Sequence, residues 1–465
     1  MFETTNPSTG KPICSVYEAS EEDVDLAVDA ARAAFDDLSG PWRSATPGQR
    51  GKWLVRLAEL FMEHADELAK VEALDNGKSI TFAKLDVVNS AECIRYYGGW
   101  ADKIHGKTID NDPASFRYTR NEPIGVCGQI VPWNFPLLMF SWKIAPALAC
   151  GCTIVMKTAE QTPLSALYAA ELIAKAGFPP GVVNIVSGFG KVAGAAVSNH
   201  MKIDKVAFTG STVTGRSILK ASAESNLKKV TLELGGKSPM IIFNDADIDQ
   251  AISWSNFGIY FNHGQCCCAG SRIYVQEGIY DKFIARFKER TEQNKVGDPF
   301  KADTFVGPVV SDLQYNRVMD YIKSGKEEGA KVVAGGNRHG NEGYFIQPTI
   351  FTDVTSKMKI MQEEIFGPVV ACAKFKDVEE VIKMANETFY GLAASVHTKN
   401  LETAISVSNR LNAGTVWVNM HNALSHTMPF GGFKQSGIGR ELGKAALANY
   451  TQIKSVHINL AIPNV

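Results

Sequence analysis

The amino-acid sequence predicts an α/β protein with two open parallel-sheet domains and a small β arm. After Gly125, short β-rich runs alternate with helical stretches, which is the pattern of a parallel sheet with crossover helices. A second alternating series begins near Ser238. The length of 465 residues corresponds to about three domains of ~150 residues. We therefore expect more than one core.

The composition is that of a globular protein with almost balanced charge. The chain is 45% hydrophobic and 21% charged, with 48 Lys and Arg against 49 Asp and Glu. These fractions exclude long disorder, collagen and coiled coil as the main architecture. A formal net charge of −1 provides no global field for nucleic acid or an anionic membrane. We expect neither partner.

Helical spacing of apolar residues predicts three helices before the first sheet, over residues 21–39, 48–76 and 89–101. The next segment, 101–120, is polar and rich in turn residues, and it predicts a hairpin or arm. The tail over 449–465 is β-prone. Isolated edge strands invite pairing with another chain, so we expect a homodimer or homotetramer.

The first α/β series predicts five strands separated by four helices. In chain order these are GVCGQIVPW, a helix over 137–149, TIVMK, a helix over 162–176, VVNIVSG, a helix over 191–200, KVAFTG, a helix over 212–222, and KVTLELGG.

The second series begins with PMIIF, a helix over 245–263, RIYV and a helix over 280–293. It continues through AKVVAGG, EEVIKMAN, TAISVSN and TVWVN. From these limits we assign residues 1–100 and 122–235 to the first domain, 236–435 to the second, and 101–121 and 449–465 to the arm and tail.

One stretch, Trp133–Met156, has the length and apolarity of a membrane span. It contains Lys143 and two prolines, and an intramembrane charge is costly. We predict a buried helix that leads into a buried strand.

The nine cysteines predict reduced thiols, because an odd number in a long chain without a secretory pattern argues against a disulfide framework. No pair forms CxxC, Cys150-Gly-Cys152 is too tight for a zinc knuckle, and the histidines show no metal spacing. We therefore predict no metal site. The acidic residues after the first turn differ from a mitochondrial presequence, so a cytoplasmic location is expected.

Two glycine-rich turns each follow a strand and open a helix, over Ser187–Gly194 and Phe208–Gly215. Glycine lets backbone N–H groups approach an anion at the positive end of a helix dipole. Neither turn is a strict GxGxxG, and the second lacks the Lys-Ser/Thr of a P-loop. Taken alone, each segment is explained equally well as an ordinary tight turn between a strand and a helix. Together with Lys157 and Glu160 at the preceding strand end, they favour a dinucleotide without a 2′-phosphate.

The segment Gly264–Arg272 contains three consecutive cysteines on a glycine-rich turn between a helix and a strand. A single cytosolic cysteine is usually a small buried hydrophobe. A turn cannot bury three in a row, so at least one should face a pocket as a candidate nucleophile.

Two polar residues stand next to predicted strand ends. Glu233 ends a strand before two glycines, and a partly buried Glu can act as a base on water. Asn134 lies between aromatic residues and prolines, where its side-chain N–H can serve as an oxyanion donor. A solvated Glu and an ordinary turn Asn are the simpler alternatives. By composition, Glu363–Pro368 and Pro429–Gly437 are only turns beside strands.

Taken together, these residues closely resemble the aldehyde dehydrogenase superfamily, in its NAD-dependent cytosolic or mitochondrial branch. The order and spacing of six motifs carry the resemblance, from about Asn6 to Val456: Met156-Lys157, Phe208-Thr-Gly-Ser211, Glu233-Leu-Gly-Gly-Lys237, Gly264-Gln-Cys-Cys267, Glu364-Ile-Phe-Gly-Pro368 and Pro429-Phe-Gly-Gly432. The separation of 34 positions from Glu233 to Cys267 leaves little room for chance.

The resemblance implies a Rossmann-like cofactor domain, a catalytic domain and an oligomerisation arm. It implies oxidation of an aldehyde to the acid with NAD, or NADP, through a thiohemiacetal and a thioester on Cys267. Asn134 would hold the oxyanion and Glu233 would activate water. Implied cofactor-binding residues are Pro132, Trp133, Lys157, Glu160, Gly190, Phe208, Gly210, Ser211, Gly215, Leu234, Glu364 and Phe366. Implied substrate-pocket residues are Phe135, Trp142, Cys266, Cys268 and Phe430.

Two alternatives remain open. A cysteine hydrolase or acyltransferase without nicotinamide would use the same nucleophile but need a His base, and His263 is the only one nearby in sequence. Within the superfamily, acylation of coenzyme A usually dispenses with the general-base Glu, so Glu233 argues for hydrolysis. The sequence does not identify the aldehyde.

Overall fold

A computed structural model describes residues 1–460. The chain forms a six-stranded sheet, a seven-stranded sheet and two small antiparallel sheets. The predicted α/β class is confirmed. Within these residues, no helix has the length and apolarity needed to cross a membrane.

The first hundred residues form a hairpin and four helices. These are β1 (Phe2–Asn6), β2 (Lys11–Val16), α1 (Glu21–Asp36), α2 (Pro47–Glu63), α3 (Ala65–Asn76) and α4 (Ile80–Gly98). The single helix predicted over 48–76 was wrong. It is divided at His64, whose φ of −105° and ψ of 22° end α2 and start α3. The helix predicted over 89–101 begins earlier, at Ile80.

The next segment supplies the arm strands and the first sheet. Its elements are β3 (Thr108–Ile109), β4 (Ser115–Pro123), β5 (Val126–Ile130), α5 (Pro136–Cys150), β6 (Thr153–Thr158), α6 (Leu164–Lys175), β7 (Val183–Ser187), α7 (Ala195–Asn199), β8 (Lys205–Thr209), α8 (Thr212–Glu224) and β9 (Lys229–Glu233).

The parallel strands of the first sheet lie in the order β9-β8-β5-β6-β7. All their carboxyl ends meet at one edge, where α/β proteins bind ligands. The helix predicted over 191–200 is a π-helical turn, Gly190–Gly194, followed by α7. Every residue of α5 is buried, as predicted for the apolar stretch.

The second sheet follows. Its elements are β10 (Pro239–Ile242), α9 (Ile248–Tyr260), β11 (Arg272–Gln276), α10 (Tyr280–Glu292), α11 (Asp312–Glu327), β12 (Lys331–Ala334), β13 (Thr349–Thr352), α12 (Lys359–Gln362), β14 (Val369–Phe375), α13 (Val378–Asn386), β15 (Ala393–His397), α14 (Leu401–Arg410) and β16 (Thr415–Val418). The order is β12-β13-β14-β11-β10-β15-β16. Only β12 pairs antiparallel with its neighbour.

After the second sheet, the chain returns to the first. The last two strands are β17 (Gly437–Ile438) and β18 (Thr451–Asn459). β17 pairs antiparallel with β9, and β18 pairs along the whole of β4. With β3 these strands make the three-stranded arm. The last part of the predicted tail, 461–465, lies outside the described residues.

Candidate active site

A cavity of about 250 Å³ is lined by residues from the first sheet and its loops and by residues from the loops and helix α11 of the second α/β region. Its walls come from the loop after β5, the first turns of α5, the β8–α8 turn, the end of β9 and the cysteine turn. Residues of α11 and the segments around Glu364 and Phe430 complete the lining. Five of the six motifs that carry the resemblance, together with the segment around Asn134, therefore meet in one place.

Residues 264–272, which we call the nucleophile turn, connect α9 to β11. The turn is preceded by Asn262 and His263 in left-handed conformation, with φ of 49° and 57°. Cys266 and Cys268 are buried with their Sγ atoms 3.6 Å apart, whereas Cys267 is half-buried. All three line the cavity. The expectation that at least one of the three cysteines would face a pocket is met by all three.

The three thiols influence one another's ionisation. Contacts from Cys267 and Cys268 lower the pKa of the Cys266 thiol, while the neighbouring Cys266 raises the pKa of the Cys267 thiol. Burial also raises the pKa of Cys267. In this arrangement Cys267 is predominantly a thiol, and forming its thiolate needs a proton acceptor.

Glu233 ends β9 and faces the same cavity. It is 5% exposed, and its Oε2 atom has no hydrogen-bond partner among the described residues. Burial raises the pKa of Glu233 well above its ordinary value, and the charge of Glu441 adds to the effect. Such a carboxylate is a stronger base than a solvated one.

A buried lysine lies behind Glu233. Lys143 in α5 donates hydrogen bonds of 2.7 Å to Thr209 Oγ1 and 2.7 Å to Glu441 Oε1. Its charge opposes the increase in the pKa of Glu233. The sequence signal for Lys143 was a charge within an apolar helix. Nothing in the sequence pointed to Glu441, because its partner is 298 residues away.

Asn134 lies at the cavity wall, 5% exposed, on the loop between β5 and α5. Its Nδ2 donates to the carbonyl of Gln265 at 3.0 Å. Asn262 Nδ2 donates to the Asn134 carbonyl at 2.9 Å. An amide nitrogen carries two hydrogens, so one remains for a group in the cavity. The side chain is thereby fixed beside the nucleophile turn.

Seven of the twelve sequence-predicted cofactor residues line the cavity. They are Pro132, Trp133, Gly210, Ser211, Leu234, Glu364 and Phe366. Ser211 caps α8 by accepting from Thr214 N at 3.2 Å. The Trp133 and Phe366 rings meet edge to face at 5.2 Å. Burial raises the pKa of Glu364 to about 7.

The other five do not line the cavity. Lys157 and Glu160 form an ion pair of 3.1 Å at the end of β6, and open space surrounds the Cβ position of Gly190. Phe208 packs against Gly210. Gly215 leaves room for Leu234, because a Cβ atom on residue 215 would lie 2.8 Å from the Leu234 side chain. Phe208 and Gly215 thus support the β8–α8 turn from behind.

The five sequence-predicted substrate residues, Phe135, Trp142, Cys266, Cys268 and Phe430, all line the cavity. The Trp142 and Phe430 rings lie 5.5 Å apart. Sequence reasoning missed Leu138, Met139, Leu313, Gln314 and Arg317. Leu138 and Met139 could have been found, because helical spacing places them on the face shared by Phe135 and Trp142.

A second cavity of about 350 Å³ shares Leu138, Trp142 and Leu424 with the first. Its aromatic wall is formed by Trp254, Phe257 and Phe261. The two cavities therefore adjoin at these three apolar side chains, and Cys267 lines only the first.

No histidine lines the cavity around Cys267 in the part of the chain that the structure describes. His263, the nearest in sequence, is buried and accepts a 2.8 Å hydrogen bond from Gly307 N. Burial lowers its pKa to about 3. A Cys–His pair is thus not formed here. Across residues 1–460, no group of three or more His, Cys, Asp or Glu is arranged to hold a metal.

Comparisons with known proteins point to one family. A family model described as aldehyde dehydrogenase matches residues 1–456. The chain is 69% identical over 459 residues to an aldehyde dehydrogenase of Emericella nidulans, covering 99% of this chain and 92% of that protein. It is 56% identical to a mitochondrial aldehyde dehydrogenase of Homo sapiens, covering 100% of this chain and 90% of that one.

Solved structures agree with these matches. The NAD+ complex of an aldehyde dehydrogenase from Bacillus cereus has a TM-score of 0.98 at 54% identity, covering 99% of this chain and 93% of that chain. A betaine aldehyde dehydrogenase from Staphylococcus aureus, in complex with NAD+, has a TM-score of 0.97 at 42% identity, covering 100% and 92%.

Proposed function

The chain belongs to the aldehyde dehydrogenase family, and from that premise we propose how its own residues carry out the reaction. The protein is an NAD-dependent oxidoreductase that oxidises an aldehyde to the carboxylic acid. The observation that carries the assignment of roles is that Cys267, Glu233 and Asn134 meet in one largely apolar cavity.

The residues at the strand ends fit a dinucleotide. The N-terminus of the 13-residue helix α8 lies at the cavity behind Gly210 and Ser211, where backbone N–H groups attract a pyrophosphate. The buried Thr212 hydroxyl has no hydrogen-bond partner among the described residues. Glu160 and Lys157 would hold one of the two riboses of the dinucleotide, and Glu364 would hold the other ribose. NAD, when bound, supplies the hydride acceptor.

The thiol of Cys267 attacks the aldehyde carbonyl and forms a thiohemiacetal. The thiol proton passes to solvent water, so that the Glu233 carboxylate remains free to act as a base in the later step. The free Asn134 N–H and the backbone N–H of Cys267 stabilise the oxyanion. Loss of one such donor typically costs about 10²–10³ in rate.

Hydride loss from the thiohemiacetal carbon leaves a thioester on Cys267. Glu233 then removes a proton from water as the water attacks the acyl carbon. The thiol of Cys267 leaves and the acid is released. Because Glu233 Oε2 has no protein partner among residues 1–460, it is available for that water.

The substrate we propose is a lipophilic or aromatic aldehyde. The rings of Phe135, Trp142 and Phe430 surround the reacting end, and the adjoining cavity continues with Trp254, Phe257 and Phe261. Burying apolar surface stabilises such a substrate by roughly 25 cal/mol per Å².

The experiment that tests the nucleophile is the variant Cys267→Ala, with Cys14→Ala on the exposed hairpin as its matched control. Cys267→Ala should abolish both the first-turnover burst of NADH and steady turnover, because no thiohemiacetal can form. Cys14→Ala should retain both. A Cys267→Ala variant with normal turnover would sink the assignment.

We further propose that the protein is a homodimer or homotetramer held by the arm.

We also propose a cytoplasmic location. All nine cysteines are free thiols, which a reducing compartment maintains. Because some relatives are named mitochondrial, cell fractionation should compare cytosol with mitochondria.

The domain limits proposed from the sequence can be tested by limited proteolysis.

A further inference from the structure

One fully buried histidine beside the nucleophile turn has no part in the steps above. His421 lies in the loop after β16 with 0% of its surface exposed. Two glycines make room for its ring. A Cβ on Gly258 would lie 2.9 Å from ring atom Cδ2, and one on Gly270 would lie 3.4 Å from Nε2. Trp417 packs on the ring with centroids 5.0 Å apart.

The hydrogen bonds of His421 fix its protonation. Nε2 lies 2.8 Å from the carbonyl oxygen of Cys268, and a carbonyl can only accept, so Nε2 carries the hydrogen. Nδ1 lies 3.0 Å from Ser395 Oγ. Burial lowers the pKa of His421 to about 4, so the ring is neutral near pH 7 and Nδ1 accepts from the Ser395 hydroxyl.

Asn422, the residue after His421, also contacts Cys268. The Cys268 thiol donates to Asn422 Oδ1 at 3.0 Å, and Asn422 Nδ2 donates to the carbonyl of Gly258 at 3.3 Å. Asn422 has a φ of 57°, in the left-handed region that Asn tolerates better than most residues. His421 and Asn422, which we call the Cys268 clamp, thus bind both the carbonyl and the thiol of Cys268.

We propose that His421 is a positioning residue for the nucleophile, acting on Cys267 through the carbonyl of Cys268, and that Asn422 completes the clamp. The clamp ties the nucleophile turn to strand β15 through Ser395. It also directs the Cys268 thiol to Asn422 Oδ1 rather than to the substrate carbonyl. A displacement of about 1 Å at a reacting atom can cost about 10²-fold in rate.

The same loop also borders the substrate. Leu424, two residues after the clamp, lines both adjoining cavities, and Trp417 Nε1 fixes the loop by donating to the Ala423 carbonyl at 3.0 Å. The wall that contacts the substrate and the hydrogen bonds that hold the nucleophile therefore belong to one short segment.

The test compares two near-isosteric variants, His421→Gln and His421→Met. Gln keeps a donor that can reach the Cys268 carbonyl, and Met removes it. His421→Met should lower the NADH burst rate and the rate of Cys267 alkylation by iodoacetamide by about tenfold or more, whereas His421→Gln should stay within about threefold. The KM for NAD should change little in either. Equal burst rates in the two variants would overturn the proposal.

The control pair is His397→Met and His397→Gln. His397 ends β15 and is 1% exposed, and neither ring nitrogen has a hydrogen-bond partner among the described residues. These two variants should give equal burst rates, which separates loss of the hydrogen bond from loss of a buried ring. If His397→Met lowers the burst as His421→Met does, the effect is general packing and the proposal fails.

A second variant keeps the proposal testable if His421→Met does not fold. Ser395→Ala leaves the ring in place but removes the donor to Nδ1, and it should lower the burst rate about threefold or more. An unchanged burst rate in Ser395→Ala would also overturn the proposal. The inference rests on Cys267 being the nucleophile, and only an active Cys267→Ala variant would refute that assignment itself.

Discussion

The role proposed for Glu233 rests on surroundings that make it a strong base without a fixed partner. It is buried at a strand end, it lines the cavity, and its Oε2 has no hydrogen-bond partner among residues 1–460. Lys143 and Glu441 lie behind it and oppose one another in their effect on its pKa. In the proposed mechanism this single carboxylate is needed for hydrolysis of the thioester but not for hydride loss.

Glu233→Gln should preserve a first-turnover burst of NADH while steady turnover falls by about 10²-fold or more. Hydride loss needs no base on water, but hydrolysis of the thioester does. Stopped-flow absorbance resolves the burst from the steady phase. Glu277→Gln, a change in the turn after β11, serves as the control and should leave both phases unchanged. Unimpaired steady turnover in the Glu233→Gln variant would contradict the role of the base.

The pH profile provides a second check on the same residue. Because burial raises the pKa of Glu233, the basic form is lost as pH falls through a value above the ordinary carboxyl range. Thioester hydrolysis should therefore rise with pH above that range and level off. In Glu233→Gln this ionisation should disappear from the profile. A profile with its only rise near pH 4 would contradict a raised pKa.

The loop between β5 and α5 is held by the end of another helix. Asn76, the last residue of α3, donates to the Trp133 carbonyl at 2.7 Å and lies 3.4 Å from that of Asn134. Glu72 Oε2 accepts from Leu137 N at 3.2 Å. Glu72 is itself paired with the buried Lys78 at 3.0 Å. The oxyanion donor is therefore positioned by α3.

Asn76→Ala should lower the rate of the burst more than it changes KM, because it frees the loop that carries Asn134. Loss of the hydrogen bonds should also reduce the free energy of unfolding by about 1–3 kcal/mol. Asn316→Ala, which removes only an exposed bond to Asp312, is the matched control. Burst kinetics and thermal unfolding measure both effects. A burst rate equal to that of Asn316→Ala would argue against the positioning.

The sequence identified most strands and the local motifs but not the contacts between them. The nucleophile turn, Glu233 and Asn134 could be found because each is marked by its own neighbours in the chain. The contacts Lys143–Glu441 and His421–Cys268 could not be found from the sequence, because they join residues that are 298 and 153 positions apart. The division at His64 was missed because apolar spacing continues on both sides of it.

At the scale of the whole molecule, the arm leaves apolar side chains in solvent. Ile453 and Ile458 of β18 are 73% and 42% exposed, and Phe116 of β4 is 43% exposed. β18 and β16 each lie at the edge of a sheet. Unpaired edges and exposed apolar residues favour association with a second copy.

Ile453→Asp should shift the protein toward the monomer, because it places a charge on the exposed face of the arm. Light scattering over a dilution series measures the mass. Leu26→Asp, at a residue 69% exposed on α1, is the control and should leave the mass unchanged. A monomeric wild-type protein would refute association altogether.

The return of the chain to its first sheet has a consequence for synthesis. β9 acquires its antiparallel neighbour β17 only when Gly437–Ile438 arrives, and Lys143 meets Glu441 only after that. Domains generally fold in order as the chain emerges from the ribosome. The first sheet therefore keeps the edge of β9 open until Gly437 and Ile438 have been made. A nascent chain that has not reached Glu441 lacks both this edge strand and the partner of Lys143.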